Sequence, residues 1–422
     1  MKPSKSITPL EWMESEEIQL VIRSLNSDSL DGIKHDNVKF VGGCVRDIFS
    51  SSILSKGKMD IDFATVHEPK KVIQLLSKNK IEYKTSGIKY GTITIKSKNF
   101  NIQITTLRKD VKTDGRYAIV EYTTDWDLDA KRRDFTFNAI YLDIDGTVYD
   151  PFNGINDLED GIVRFIGNPD IRIQEDYLRI LRYFRFLGIY SNRAPNSLAI
   201  QGCMKFAEGL KNLSSDRVKG ELFKILNSTN VMASLSAMAE TGVLQVILPQ
   251  ATRPDVLEFL INLEHSAEIQ PDPILRLASL IHPPEKNLKN LLQSVSKKIK
   301  LSKKELNKLE FFLSTSSFIL PDMTEDLAKQ YIYINGYNLF MNSLFLSWSR
   351  FGKEFDYAKQ IKIAAEFDRP IFPVSGKDIE LLDIKEKKVI GKIIEQTQKW
   401  WIENNFKYDK QECLNYIKNK LM

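Results

Sequence analysis

The chain has 422 residues, of which 42% are hydrophobic, 27% charged and 10% aromatic, and it carries a formal net charge of +5. That is an ordinary globular composition, long enough for two to four domains and a large core. A charge of +5 does not by itself announce a nucleic-acid binder, so local clusters must decide; no apolar run approaches the length that spans a membrane.

The three cysteines, Cys44, Cys203 and Cys413, form neither a zinc spacing nor a disulfide framework, which fits a reducing cytosol. The N-terminal MKPSKSITPLEWMESEE lacks the apolar segment of a secretory signal, and Glu11, Glu14, Glu16 and Glu17 come too early for an acid-poor transit peptide. The expected location is cytoplasmic, with no membrane association and no protein partner evident.

In chain order, residues 8–35 read as an amphipathic helix followed by the polar loop SDSLDGIKHDN. The stretch VGGCVRDIFSSSILSKGKMDIDFA (41–64) is the one around which the rest of the chain is organised. A strand ending at Val41 runs into Gly42 and Gly43, which let the backbone approach an anion closely, and Arg46 then opens a helix and adds positive potential. After a polar loop, polar and apolar residues alternate. On a strand, Asp60 and Asp62 share one face while Ile61 and Phe63 point into the core. Two carboxylates beside a phosphate cradle suit divalent metal held against a nucleoside triphosphate. Taken singly, Gly-Gly is usually a turn and Asp-x-Asp a solvated edge; their order is what counts.

GTITIKS (91–97) and FNIQITTL (100–107) alternate strictly and predict a hairpin, as does AIYLDIDGTVYD (139–150), turning at Asp145-Gly146. Between them lies DAKRRDFTFNAI (129–140). Adjacent Arg132 and Arg133 bind phosphate bidentately if they sit beside a triphosphate, and are surface charge otherwise. A strand-like run comes next, in which Asp134 and Asn138 are placed to bond a ribose hydroxyl.

After Pro151 the strands stop, and from about residue 170 nearly every periodic segment reads as helix. Read as one helix, RIQEDYLRILRYFRF (172–186) buries Ile180, Leu181, Phe184 and Leu187. It sets Asp176 beside Arg179 at i, i+3, with Arg182 and Arg185 continuing the stripe. A helix-surface ion pair with solvated arginines is one reading. The other is recognition of a Watson–Crick edge: Asp accepts from the exocyclic amine of cytosine or adenine, and Arg donates to the ring nitrogen. Uracil and guanine, with carbonyls in that place, are then rejected. Further on, KNLKNLLQSVSKKIKLSKKELNK is lysine-rich, either a solvated face or a phosphate-backbone contact. KWWIENNFKY (399–408) is either core or a stacking surface.

The Gly-Gly, short helix, Asp-x-Asp order resembles the polymerase-β-like nucleotidyltransferases. GGCVRD, DIDFAT, RRDFTFNA, DPFNGINDL, EDYLRILRYFRF and LSSDRVKGELFKIL occur in the order found in class II CCA-adding tRNA nucleotidyltransferases. The match covers roughly residues 38–250, and ITTLRKDVKTDGRYAIVEYTTDW (104–126) looks most like the eukaryotic and alphaproteobacterial branch. The resemblance implies an α+β chain. A nucleotidyltransferase head of mixed sheet and helices (1–150) is followed by an all-α neck with a base-recognition helix (151–250) and an all-α, tRNA-binding body and tail (251–422). It implies template-free addition of C, C and A to the tRNA 3′ end from CTP and ATP, with Mg²⁺. Asp60 and Asp62 would hold metal and be catalytic; Gly42, Gly43, Arg46 and Arg133 would receive the triphosphate, and Asp134 with Asn138 the ribose. Asp176 and Arg179 would read the base, with Arg182, Arg185 and Arg132 in support. Residues 108–126, including Glu121, match the family's flexible loop, which helps the change from CTP to ATP.

One departure is Gln103, where many relatives carry Glu; a neutral amide holds metal less well, so the expectation is that Gln103 supports the site from outside the ligand set. His35, His67, His265 and His282 form no His-Asp metal motif, so the phosphohydrolase domain of some bacterial relatives is not expected. A bacterial poly(A) polymerase usually carries a long basic extension, and a CC-adding enzyme a shortened loop. A separate A-adding enzyme and a catalytically dead RNA-binding homologue share the fold, and the intact Asp60 and Asp62 pair argues against the latter.

Overall fold

The structure, a computed structural model, describes residues 1–27, 37–50, 58–113, 118–191, 193–283, 286–314, 318–352, 356–382, 384 and 386–420, with only the backbone within 110–120. Most of the SDSLDGIKHDN loop with His35, most of the polar segment between Arg46 and Asp60, and Gly115 lie outside them. The chain divides into two compact units, Met1–Pro249 with Val295–Lys300, and Gln250–Ser294 with Leu301–Met422.

The first unit is built on β1 (Lys5–Ser6), α1 (Glu16–Asn26), β2 (Val38–Val41), the four-residue α2 (Gly43–Arg46), β3 (Met59–Thr65), α3 (Pro69–Lys78), β4 (Tyr83–Lys84), β5 (Thr92–Ile95) and β6 (Phe100–Thr106). Next come β7 (Arg108–Thr113), β8 (Ala118–Tyr122), α4 (Trp126–Lys131), β9 (Tyr141–Leu142) and β10 (Thr147–Tyr149). One mixed sheet runs in the order β1-β10-β9-β2-β3-β6-β5-β4, and β7 with β8 forms a separate ribbon. Alternation sets its faces: Ile61, Phe63, Ile93, Ile95, Ile102 and Ile104 are buried, and Phe40 packs on Phe63 at 4.7 Å between ring centroids. Both expected hairpins form, with Ile93 opposite Ile104 and Ile95 opposite Ile102, and β9 antiparallel to β10. The pair β3–β6 is parallel, joined by the crossover through α3, and places Asp60 beside Asn101 and Asp62 beside Gln103.

The expected strand-like run after Arg133 is instead a 3₁₀ turn, Thr136–Ala139. The Asp134 carboxylate curls it, accepting from the Phe135 amide at 2.9 Å and from Asn138 Nδ2 at 2.9 Å. Phe135 and Phe137, both fully buried, then land on the same side against Phe186, at 5.3 and 5.1 Å.

Beyond β10 the described elements are helical: α5 (Gly154–Glu159), α6 (Pro169–Glu175), α7 (Leu178–Tyr190), α8 (Ser197–Lys205) and α9 (Ser215–Leu226) come next. The second unit consists of helices from Pro254–Ser266 to Lys410–Lys420. In its C-terminal core Trp401 is buried, while Trp400 lies between Tyr408 and Tyr416, with centroids 4.4 and 4.0 Å away. Among the described residues, no helix is long and apolar enough to cross a membrane.

Candidate active site

At the end of β2, Gly42 takes φ +77°, a conformation that side-chain-bearing residues rarely adopt, and a Cβ there would lie 3.3 Å from Asp62 Oδ2. The glycine is what allows β2 to meet the β3 carboxylate so closely. Cys44, one turn on, is buried, its thiol pushed up to about 12, chiefly by burial, and its Sγ–H donates to the Val41 carbonyl at 3.4 Å, so it is no nucleophile at neutral pH.

Asp60 and Asp62 share the exposed face of β3, as expected. Asp60 Oδ1 accepts from Asn101 Nδ2 at 2.8 Å. Burial raises the Asp62 carboxyl above its usual range; Arg133 opposes this, Asp60 adds to it and Arg46 opposes it. A half-buried carboxylate with an exposed one beside it fits a divalent cation. Among the described residues no three His, Cys, Asp or Glu side chains cluster to hold one. Hard oxygen donors from two carboxylates, completed by phosphate oxygens and water, are the donor set suited to Mg²⁺. Gln103 sits next to Asp62 in register on the same face and offers only an amide.

These carboxylates open onto a cavity of ≈ 650 Å³, whose wall also contains Gly42, Gly43, Arg46, Arg133, Asp134, Asn138, Arg182 and Arg185. The arginines are held by a network. Asp129, on α4 and almost wholly buried, accepts from Arg132 Nε at 2.8 Å, Arg133 Nη2 at 3.0 Å and the Tyr141 hydroxyl at 2.7 Å. Its burial alone would raise its carboxyl; Arg133, Arg132 and Tyr141 reverse that and hold it well below the usual carboxylate range. Arg46 donates to Asn138 Oδ1 at 3.0 Å, Asn138 donates to Asp134, and Arg182 Nε donates to Asp134 Oδ2 at 2.6 Å. Asp134 is likewise buried, and Arg182, Asn138 and Arg179 overcome that burial to bring its carboxyl down to about 2. Arg185 lies 2.9 Å from Glu221 Oε2 and 4.2 Å over the Phe186 ring; burial first, then repulsion from Arg182, lower its guanidinium to about 10.

Four expected site residues do not line this cavity: Asp176, Arg179, Arg132 and Glu121. The single helix expected over 172–186 is broken. Asp176 ends α6 in an extended conformation, φ −157°, and α7 restarts at Leu178. The expected Asp176 to Arg179 pairing is therefore replaced. Asp176 accepts from the Leu178 amide at 3.1 Å and from Arg217 Nη2 at 2.6 Å. Arg179 pairs with Glu175 and donates to the carbonyls of Arg172 at 3.0 Å and Arg132 at 3.1 Å. Arg182 and Arg185 are paired and largely buried rather than a solvated stripe. Glu121, expected on a loop, stands on β8 opposite Lys109, its carboxylate 3.1 Å from the ammonium.

Asp129, Glu221, Asn101 and Lys224 were missed. Local spacing carried a signal for Asp129, which Arg132 and Arg133 follow at i, i+3 and i, i+4, and a weaker one for Glu221 with Lys224 at i, i+3; nothing local marked Asn101.

A family model described as "Poly A polymerase head domain" matches residues 38–164, and one described as "Probable RNA and SrmB- binding site of polymerase A" matches 200–253. The mouse (Mus musculus) protein "CCA tRNA nucleotidyltransferase 1, mitochondrial" is 33% identical, over 91% of this chain and 87% of its own length. The human (Homo sapiens) protein of the same name is 34% identical over the same shares. The crystal structure of Bacillus stearothermophilus CCA-adding enzyme in complex with CTP shares the fold, with a TM-score of 0.64 over 92% of both chains at 22% identity. Motif order, the carboxylate and arginine cavity, and one-third identity along nine-tenths of the length agree: this chain belongs to the CCA tRNA nucleotidyltransferases.

Proposed function

We propose that the chain adds C, C and A without a template to the 3′ end of tRNA, from CTP and ATP, releasing pyrophosphate. The observation that carries the reading is the single cavity lined by the Gly42-Gly43 turn, Asp60, Asp62, Arg46, Arg133 and Arg182 together.

In this reading Asp60 and Asp62 hold the divalent metal that the family uses, here Mg²⁺; bound there, it would make the primer 3′ hydroxyl more acidic and neutralise the departing pyrophosphate. Gly42 and Gly43 leave room for the triphosphate, and Arg46 and Arg133 receive its oxygens. Arg132 supports them through its shared anchor, Asp129. Because Asp129 and Tyr141 already fix the Arg133 guanidinium, little order is lost when phosphate binds. Asp134 and Asn138 take the ribose with the lone pairs and amide hydrogen their network leaves over.

Asp176 and Arg179 read the base. Each is held in place by its own partners, Arg217 and Glu175, and the base edge is added to that arrangement. Arg182 and Arg185 support the nucleotide from the adjoining turns of α7. The β7–β8 ribbon with Glu121 assists the change from CTP to ATP. The head, neck and body-with-tail division at residues 150 and 250 assigns catalysis to the first part, base reading to the second and tRNA binding to the third. The three cysteines, all free and buried, favour the reducing cytoplasm; the mouse and human relatives carry "mitochondrial" in their names, and cell fractionation distinguishes the two. The deciding experiment is purified protein, tRNA lacking CCA, each labelled nucleotide in turn, and sequencing of the products. Ends other than CCA, or no extension, would overturn the reading.

A further inference from the structure

The cations of the cavity differ in how they are held. Arg46 is bound to Asp47 at 2.9 Å and to Asn138, Arg133 to Asp129, Arg182 to Asp134 and Arg185 to Glu221. Their side chains are 10–29% exposed. Lys224, near the C-terminal end of α9, lines the same cavity with a side chain 60% exposed. Its nearest carboxylate oxygen, Glu221 Oε1, is 3.6 Å away, beyond hydrogen-bond reach, and that carboxylate already faces Arg185 Nη1 at 3.1 and 2.9 Å. Among the described residues lining the cavity, Lys224 is thus the cation with a solvated ammonium and no hydrogen-bonded carboxylate.

A solvated lysine at a cavity mouth is a flexible point charge, suited to a phosphate that arrives from solvent and must move between turnovers. The pinned arginines are suited to one held in fixed geometry. Two phosphate sources meet at this cavity: the triphosphate of the incoming nucleotide and the phosphodiesters of the primer. The nucleotide enters whole, whereas the RNA keeps its body in solvent and crosses the mouth with its last phosphodiesters. We infer that Lys224 is a positioning residue that binds a phosphodiester at the 3′ end of the primer tRNA. The inference rests on the CCA-adding reading of the cavity.

The test compares wild type with Lys224→Ala and Lys224→Arg, measuring Kd for tRNA lacking CCA over a range of salt, and KM for CTP. The wild type's own product ends check the CCA reading separately. In Lys224→Ala, Kd for tRNA should rise roughly three- to tenfold near physiological salt. The slope of log Kd against log salt should fall by about 0.7, as for one lost phosphate contact on single-stranded RNA, with KM for CTP unchanged. Lys224→Arg should restore most of the affinity, because charge is what matters. If wild type makes CCA ends and Lys224→Ala, with unaltered thermal unfolding, keeps both the tRNA affinity and the salt slope, the inference is overturned. A rise in KM for CTP with tRNA binding intact overturns it too, and assigns the lysine to the triphosphate. Loss of tRNA binding with no change in salt slope, unrepaired by arginine, would make the effect structural and equally overturn it.

Discussion

Asp134→Asn isolates the charge at the centre of the arginine network. The native carboxylate is buried, accepts from the Phe135 amide and Asn138, and faces Arg182, whose side chain is 29% exposed. Moving a carboxyl from 3.8 to about 2 corresponds to roughly 2 kcal/mol of stability at neutral pH. The sign follows from the lowered value: the contribution is full above the unfolded-state 3.8 and is lost as pH falls through about 2, so about half remains at pH 3. Asparagine keeps one acceptor oxygen but leaves the Arg182 guanidinium without its counter-charge. The cost should therefore be about 2–3 kcal/mol at pH 7, below the range for a fully buried broken pair because Arg182 retains some water. Urea unfolding of both proteins, followed by far-UV circular dichroism at pH 7 and pH 3, measures this. The gap between wild type and variant should shrink by about 1 kcal/mol at the lower pH. A variant as stable as wild type at pH 7, or a gap that does not change with pH, would show that this carboxylate is not held low by its arginine.

Four further outcomes are expected. Asp60→Ala and Asp62→Ala should each abolish addition of both C and A with circular dichroism unchanged; near-normal incorporation with Mg²⁺ present would remove them from the metal site. Asp176→Ala or Arg179→Ala should weaken the preference for CTP and ATP over UTP and GTP by about 1–3 kcal/mol per lost bidentate contact, read from kcat/KM for each nucleotide. Equal losses for all four nucleotides would mean that the Arg217 and Glu175 pairs of these residues are only structural. Glu121→Ala, which removes an exposed pair with Lys109 worth at most about 1 kcal/mol, should leave stability nearly unchanged yet slow addition of A more than of C. Deleting residues 113–118, of which 114–117 lie outside the described residues, should stop products at CC, and full CCA ends at normal rate would exclude the ribbon from the switch.

The strand that carries the two carboxylates was legible because its polar positions and its packing share one period. Asp60 and Asp62 alternate with Ile61 and Phe63, and a two-residue repeat on a half-buried sheet leaves one arrangement open. Gly42 was legible for a similar reason, since few other residues take φ +77°. The helix over 172–186 failed because its apolar stripe continues across a break. Ile173, Ile180, Leu181 and Phe184 are all buried, as a single helix would have them, while Asp176 leaves the helical conformation and binds the Leu178 amide as a cap would. Periodicity reports which side faces the core; it does not report whether the backbone between two turns is continuous. The Asp129 pairs were within reach of local spacing. The links from Asp134 to Arg182, Asp176 to Arg217 and Arg185 to Glu221 bridge 48, 41 and 36 positions, and no local pattern shows a partner that tertiary packing brings in.

Those distant links bear on how the cavity can hold a highly charged ligand at modest net charge. Arg46, Arg133, Arg182 and Arg185 each face a different carboxylate, so the cavity is not strongly cationic. Unpaired guanidiniums in a half-buried wall would repel one another; Arg185, lowered first by burial and then by Arg182, is partly relieved by Glu221. The pairing removes that repulsion and fixes each guanidinium plane, while its remaining N–H groups stay free to donate. On the proposed reading, a triphosphate would meet donors already in position, and its affinity would come from geometry more than from excess charge. On that account the inner arginines should respond weakly to salt, and the salt dependence of the whole enzyme should reside in the solvated lysines that meet RNA.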